Sequence, residues 1–262
     1  MRIVVIGASS GLGRCIGVGL AQRGAQVALL ARRRERLEGA AADAGSDAVV
    51  VECDVTDEAS CRSAIVEAAT ALGGIDALIY APGIGPLGHL IDTDAATWRR
   101  VFDTNVTGAA LTTAAAVPYL TESSGCAIYL SSVSASMTTP WPGLGAYAVS
   151  KAALDKLVEA WRVEHPEVGF TRMVVGDCAG GEGDAVSGFP GEWDMELAAE
   201  IAPQWISKGL MTGSLLEVEE LIAMVHTVVR SGATVSIPSV TVAPRPGANV
   251  APSLEDAMGD PA

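Results

Sequence analysis

Met1-Arg-Ile-Val-Val-Ile-Gly-Ala-Ser-Ser-Gly-Leu-Gly-Arg14 opens the chain. Ile3, Val4, Val5 and Ile6 form a β-branched run suited to a buried strand. Gly7, Gly11 and Gly13 end that run, and an apolar helical stretch follows from Ile16 to Leu20. Glycines let backbone approach a ligand closely, and a helix N-terminus offers N–H groups and a positive dipole to a phosphate. The turn Gly7, Ser9, Ser10, Gly11, Leu12 and Gly13 is therefore a candidate pyrophosphate cradle. Its spacing, G-x-x-x-G-x-G, departs from the G-x-G-x-x-G dinucleotide fingerprint. A tight strand-to-helix connection would also use glycine, but a position directly after the first strand favours the nucleotide reading.

Working outward, apolar runs alternate with amphipathic stretches along the whole chain. Strands are predicted at about 2–6, 26–31, 48–53, 75–81, 126–132, 169–175 and 233–238. Helices are predicted at about 12–23, 33–43, 57–72, 94–120, 146–164 and 214–231. Near-continuous apolar strands are buried on both faces, which means a parallel sheet with helices on either side. Right-handed crossovers then give a single α/β, Rossmann-type, doubly wound domain of about seven strands, its site at the strands' C-terminal ends. The domain is expected to span residues 1–246, with a substrate lid at about 177–213 and a Pro/Gly-rich tail at 247–262.

Composition excludes several functions. A net charge of −14 repels a polyanion, so nucleic acid is not an expected partner. Five cysteines without CxxC spacing, and histidines 89, 165 and 226 without ligand spacing, point to reduced thiols, a cytoplasmic location and no metal site. The apolar N-terminus is interrupted too early for a membrane span or signal peptide.

The second informative stretch is Gly145-Ala-Tyr-Ala-Val-Ser-Lys-Ala-Ala-Leu154. Tyr147 and Lys151 stack on one helix face. A phenol normally ionises near pH ~10, and an adjacent ammonium favours the phenolate, so the pair is a candidate proton donor and acceptor.

Together the two motifs resemble the short-chain dehydrogenase/reductase family, over Met1 to about Pro246. Asp54-Val55 follows the third strand, where the family's aspartate contacts adenine. Ala81-Pro82-Gly83 follows the fourth, in place of the more usual Asn-Ala-Gly. Asn105 stands at the family's active-site asparagine, and Ser131-Ser132 ends the fifth strand at its catalytic serine. Counting back thirteen residues from Tyr147 lands instead on Ser134; strand-end position favours Ser132. The resemblance implies that Tyr147 exchanges a proton with a carbonyl or alcohol oxygen as a nicotinamide exchanges hydride with its carbon. It also implies that Lys151 lowers the phenol's pKa and bonds the nicotinamide ribose, that a serine holds the carbonyl oxygen, and that Asn105 supports a water-linked proton path.

After the second strand the sequence reads Leu29-Leu-Ala-Arg-Arg-Arg34, with arginine where NAD-binding chains carry an acid. That favours the 2′-phosphate of NADP(H), with Arg32 first, Arg33 second and Arg14 assisting. The expected function is an NADP(H)-dependent oxidoreductase acting on a small-molecule ketone, aldehyde or secondary alcohol. The alternatives are a non-catalytic NADP(H)-binding sensor, or a dehydratase or epimerase on the same fold. Family members pair through their long helices, so a homodimer or homotetramer is expected.

Two segments depart from the family pattern. Val174-Val-Gly-Asp-Cys-Ala-Gly-Gly181 lacks the usual Pro-Gly and threonine that seat the nicotinamide. In the lid, Phe189, Trp193, Met195, Trp205 and Met211 are candidates to line a pocket, about half of them packing the lid onto the body. Trp141 is the best single candidate for a substrate wall, and the lid's acids disfavour highly anionic substrates.

Overall fold

The computed structural model describes residues 1–45, 47–180, 189–211 and 213–245. Expectations for the 247–262 tail, and for the lid between 181 and 188, lie outside the described residues.

Seven parallel strands form one sheet: β1 (Arg2–Ile6), β2 (Gln26–Ala31), β3 (Val49–Glu52), β4 (Ala77–Tyr80), β5 (Cys126–Ser132), β6 (Gly169–Val175) and β7 (Ser239–Val242). Their spatial order is β3-β2-β1-β4-β5-β6-β7. The chain moves outward from β1 to β3, then returns to build the other half from β4. This reversal beside β1 is the switch point where α/β sheets bind ligands.

Helices cover both faces. α1 (Gly11–Gln22), α2 (Arg34–Ala44) and α9 (Val218–Val229) pack on one side; α3 (Glu58–Leu72), α5 (Gly108–Ser123) and α7 (Gly145–Glu164) pack on the other. The period-2 pleat of β1 explains the division. Ile3 and Val5 join Ile16, Leu20 and Val225 in one core, while Val4 and Ile6 join Ile65, Ala68 and Leu154 in the other. Burying each such aliphatic side chain contributes about 1.5–3 kcal/mol.

Three elements differ from the sequence expectation. The last strand is Ser239–Val242, not 233–238. Pro238 has no N–H, and its carbonyl accepts from Arg172 N at 3.2 Å, so the edge ladder starts beyond it. The helix expected over 94–120 is α4 (Ala95–Phe102), a π-helical turn (Asp103–Thr107) and α5. Within the lid, α8 (Met195–Ser207) forms where only a glycine-flanked cover was expected. Asp194 caps it, accepting from the N–H groups of Glu196 and Leu197. A single helical turn, α6 (Val133–Ser136), follows β5. Among the described residues, no helix is long and apolar enough to cross a membrane.

Candidate active site

The glycine turn has the form of a phosphate cradle. Gly7 has φ +79° and Gly11 φ +54°, a region that favours glycine. A Cβ on Gly13 would stand 2.4 Å from the Gly7 carbonyl oxygen, so α1 can meet β1 this closely only without a side chain. Ser10 is the N-cap of α1 but makes no side-chain capping bond, leaving the first-turn N–H groups without a side-chain acceptor. A glycine-lined turn under an uncapped helix start fits a dinucleotide pyrophosphate.

Arg33 lies over this turn, donating to Ser10 Oγ at 2.8 Å and Ser9 Oγ at 3.1 Å. Arg32, the residue expected first, is exposed and turned toward Asp54, whose charge it helps to stabilise. Arg14 is engaged by Asp43 at 2.6 Å, on the α2 side. Burial pushes the Asp54 carboxyl up, but hydrogen bonds from Thr56 N and Oγ1 and the Arg32 charge outweigh it and hold the group below its usual value. Val55, next to it, is buried in the core.

Ala81, Pro82 and Gly83 leave the end of β4 toward the switch point. Ala81 N donates to Ile6 O at 3.1 Å, and a Cβ on Gly7 would reach Pro82 N at 2.9 Å, so the two strand ends are in contact. Gly83 faces the catalytic helix: a Cβ there would lie 3.1 Å from Lys151 Nζ.

Asn105 is fully buried in the π-helical turn. Its Oδ1 accepts from Ile84 N at 2.9 Å, while its Nδ2 donates to Ile84 O at 3.0 Å and to Ser150 Oγ at 2.8 Å. Ser150 in turn donates to Tyr147 O at 2.7 Å. The asparagine amide thus ties the loop after β4 to α7. Both Nδ2 donors are engaged in this clamp, while Oδ1 keeps a second lone pair. Tyr80 Oη donates to the Thr104 carbonyl in the same turn.

Ser132, Tyr147 and Lys151 converge at the ends of β5 and α7. Ser132 lies beside the Tyr147 phenol and draws its pKa down. Ser134 stands behind it, its Oγ 2.9 Å from Ser132 Oγ and its N–H donating to that oxygen at 3.2 Å. Lys151 is buried, with Nζ donating to Leu130 O at 2.7 Å and lying 5.7 Å from the centre of the Tyr147 ring. Burial lowers the lysine to about 8, opposed by the negative charge of Asp155 one helical turn on. Burial pushes the phenol up to about 12, with the neighbouring Ser132 hydroxyl pulling down and Asp177 pushing up. The expectation that the ammonium draws the phenol toward neutrality is therefore corrected: the amine is itself desolvated and aimed at a backbone carbonyl. At neutral pH the arrangement holds a protonated phenol.

Three residues went unnoticed in the sequence. Ser150 carries no spacing signal. Asp155 does, four positions after Lys151 on the same face, and it lies 3.6 Å from Arg172 on β6. Asp177 occupies the loop that departs from the family pattern. Burial raises its carboxyl to about 6, and its carbonyl accepts from Leu216 N at 2.8 Å. Beyond it, a Cβ on Gly180 would reach Leu12 at 2.4 Å, so this loop closes over the glycine turn.

A family model described as short chain dehydrogenase matches residues 1–179. The chain belongs to the short-chain dehydrogenase/reductase family. Among curated relatives of this dehydrogenase/reductase, "11-beta-hydroxysteroid dehydrogenase A" of Sesamum indicum is 37% identical over 180 residues, 66% of this chain and 51% of that protein. "11-beta-hydroxysteroid dehydrogenase 1A" of Arabidopsis thaliana is 38% identical over 167 residues, 62% of this chain and 47% of that protein. The matches thus span about half the length of these relatives. Among solved structures, an alcohol dehydrogenase from Thermococcus sibiricus complexed with 5-hydroxy-NADP shares the fold, at TM-score 0.77 and 21% identity over 92% of this chain and 94% of that one. A dehydrogenase/reductase from Sinorhizobium meliloti gives 0.75 at 27% identity, covering 92% of each chain. The family match ends at Ala179, so the lid of this dehydrogenase/reductase lies outside it.

Proposed function

We propose that the protein is an NADP(H)-dependent carbonyl reductase or alcohol dehydrogenase in which Tyr147 exchanges the proton. The observation that carries this reading is the convergence of Ser132, Tyr147 and Lys151 at the ends of β5 and α7, with Lys151 Nζ 5.7 Å from the centre of the Tyr147 ring and the phenol protonated at neutral pH. A protonated phenol is a donor, which suits the reducing direction; oxidation needs phenolate and alkaline conditions. Relatives named hydroxysteroid dehydrogenases, and a neighbour named an alcohol dehydrogenase, support the carbonyl/alcohol pair as the reacting group.

In this reading Ser132 holds the substrate oxygen beside the phenol, a positional and electrostatic contribution. Tyr147 Oη gives its proton to that oxygen. Lys151 places a positive charge beside the site and binds the cofactor's ribose, and Asp155 behind it favours the charged amine. Asn105 fixes the loop from Gly83 to Ile84 against α7. When bound, the nicotinamide supplies the hydride. Gly7, Ser9, Ser10, Gly11, Leu12 and Gly13 would hold its pyrophosphate, Arg33 the 2′-phosphate with Arg32 beside it, Asp54 and Val55 the adenine side, and Ala81–Gly83 the inner ribose edge. The protein acts in the cytoplasm, as a homodimer or homotetramer through α4–α5 and α7, on an uncharged small molecule.

The test is a screen of NADPH absorbance loss over ketones, aldehydes and quinones. Turnover with NADPH well above that with NADH is expected. Cofactor that binds but is never consumed across the panel would contradict the reading.

A further inference from the structure

An unbroken line of aromatic rings runs from the catalytic phenol into the lid. Tyr147 and Phe189 have ring centres 5.0 Å apart at 61°, and Phe189 and Trp193 are 5.6 Å apart at 78°. Trp193 then meets Trp205 at 5.7 Å, and Trp205 meets Trp141 at 5.5 Å. All four spacings and tilts lie in the range of favourable aromatic pairs.

Two indole donors fix this line to the body of the protein. Trp193 Nε1 donates to Gly85 O at 2.8 Å, and Trp205 Nε1 donates to Pro142 O at 2.8 Å. Trp205 is 1% exposed, packed with Ile201 and Ala202, and serves as the anchor. Phe189, by contrast, leaves 36% of its surface exposed although it touches the catalytic ring.

Gly85 makes that placement possible. Its φ is outside the left-handed region, so the backbone does not demand glycine. Space does: a Cβ there would lie 2.3 Å from Phe189 Cζ and 3.1 Å from Tyr147 Cδ2. The missing side chain is the seat of the Phe189 ring.

On the carbonyl-reductase reading above, we propose that Phe189 and Trp193, seated on Gly85, form a wall that selects a flat, uncharged, unsaturated ring next to the reacting carbonyl, so that aryl ketones and aldehydes are the substrate class. Phe189 occupies one flank of the phenol. A carbonyl brought to the Tyr147 hydroxyl therefore carries its nearer substituent along that ring. A planar substituent meets it at aromatic spacing, whereas a puckered one of the same skeleton cannot. Charge points the same way: from Asp177 to Gly213 the single basic residue is Lys208, against Asp177, Asp194, Glu196 and Glu200 among others, so a carboxylate or phosphate substituent is repelled.

Acetophenone and cyclohexyl methyl ketone share a skeleton and differ in ring flatness, so their kcat/KM ratio is the measurement. One aromatic pair corresponds to a preference for acetophenone of about two- to twelvefold, even though conjugation makes its carbonyl the less electrophilic. Phe189→Leu removes the ring, and Gly85→Ala displaces it; each should bring the ratio within about twofold of unity, mainly through KM for acetophenone. A ratio unchanged in both variants, or a wild type that prefers the cyclohexyl ketone, would overturn the wall alone. A wild type that binds NADPH and reduces neither ketone would overturn the carbonyl-reductase reading and the wall with it.

Discussion

Replacing Arg33 with alanine should separate the two nicotinamide cofactors. In the structure the guanidinium already lies over the glycine turn, on Ser9 and Ser10 at 3.1 and 2.8 Å. The guanidinium is thus already placed where a phosphate on the adenosine ribose would lie. A charge-assisted hydrogen bond of this type is worth about 1.5–3 kcal/mol. Arg33 is exposed, which argues for the lower half of that range. NADPH should therefore lose about twelve- to fortyfold in Kd, at 1.4 kcal/mol per decade. NADH has no 2′-phosphate and should change less than about threefold. The serine bonds add little to stability, because water replaces the guanidinium at an exposed site. Calorimetric titration of both cofactors at low and moderate salt would give the numbers, and the NADPH penalty should shrink as salt rises. Equal losses for NADPH and NADH would refute the assignment, since only a distorted cradle harms both alike.

Asp177→Asn removes a negative charge that holds the phenol's pKa up. The aspartate is ionised above about pH 6, so the alkaline-rising limb of alcohol oxidation should move to lower pH in the variant; a limb that stays in place or moves up would contradict the coupling. Asn105→Ala deletes a clamp of three hydrogen bonds of 2.8–3.0 Å and strands the Ile84 amide. It should cost about 2–4 kcal/mol in denaturant unfolding, and a loss under about 0.5 kcal/mol would show the clamp to be dispensable. Gly13→Ala drives a methyl into the Gly7 carbonyl, 2.4 Å away. NADPH affinity should fall more than about tenfold as α1 shifts off β1; unchanged affinity would mean that the cradle is not used.

Six of the seven strands were legible as apolar runs, five of them inside the sheet and largely buried on both faces, as Ile3–Ile6 is, and the sixth, β3, at its edge. The seventh was not, because only two of its four residues, Val240 and Val242, face the core, and the apolar Val235 and Ile237 before Pro238 drew the reading upstream. Helix α8 was missed because the lid's glycines speak louder locally than the apolar face of Ile201, Ala202 and Trp205. The motif residues were legible wherever strand order alone brings them to one edge: Gly7, Asp54, Gly83 and Ser132 needed no side-chain detail. Placing Arg33 over the glycine turn and Arg32 toward Asp54 did need it, because both follow the end of β2, where no strand period fixes direction. The phenol's pKa was misjudged for a related reason. Four-residue spacing promises proximity, but burial and the aim of Lys151 Nζ at Leu130 O decide the sign.

The account rests most directly on the hydroxyl of Tyr147. Pre-steady-state reduction of a turned-over ketone should be measured in wild type and in Tyr147→Phe, each with NADPH bound at its own measured affinity. Loss of the general acid predicts a fall of about 10²–10⁴-fold in the hydride-transfer rate, with NADPH binding preserved within about threefold. A variant that keeps most of the wild-type rate would contradict the central claim.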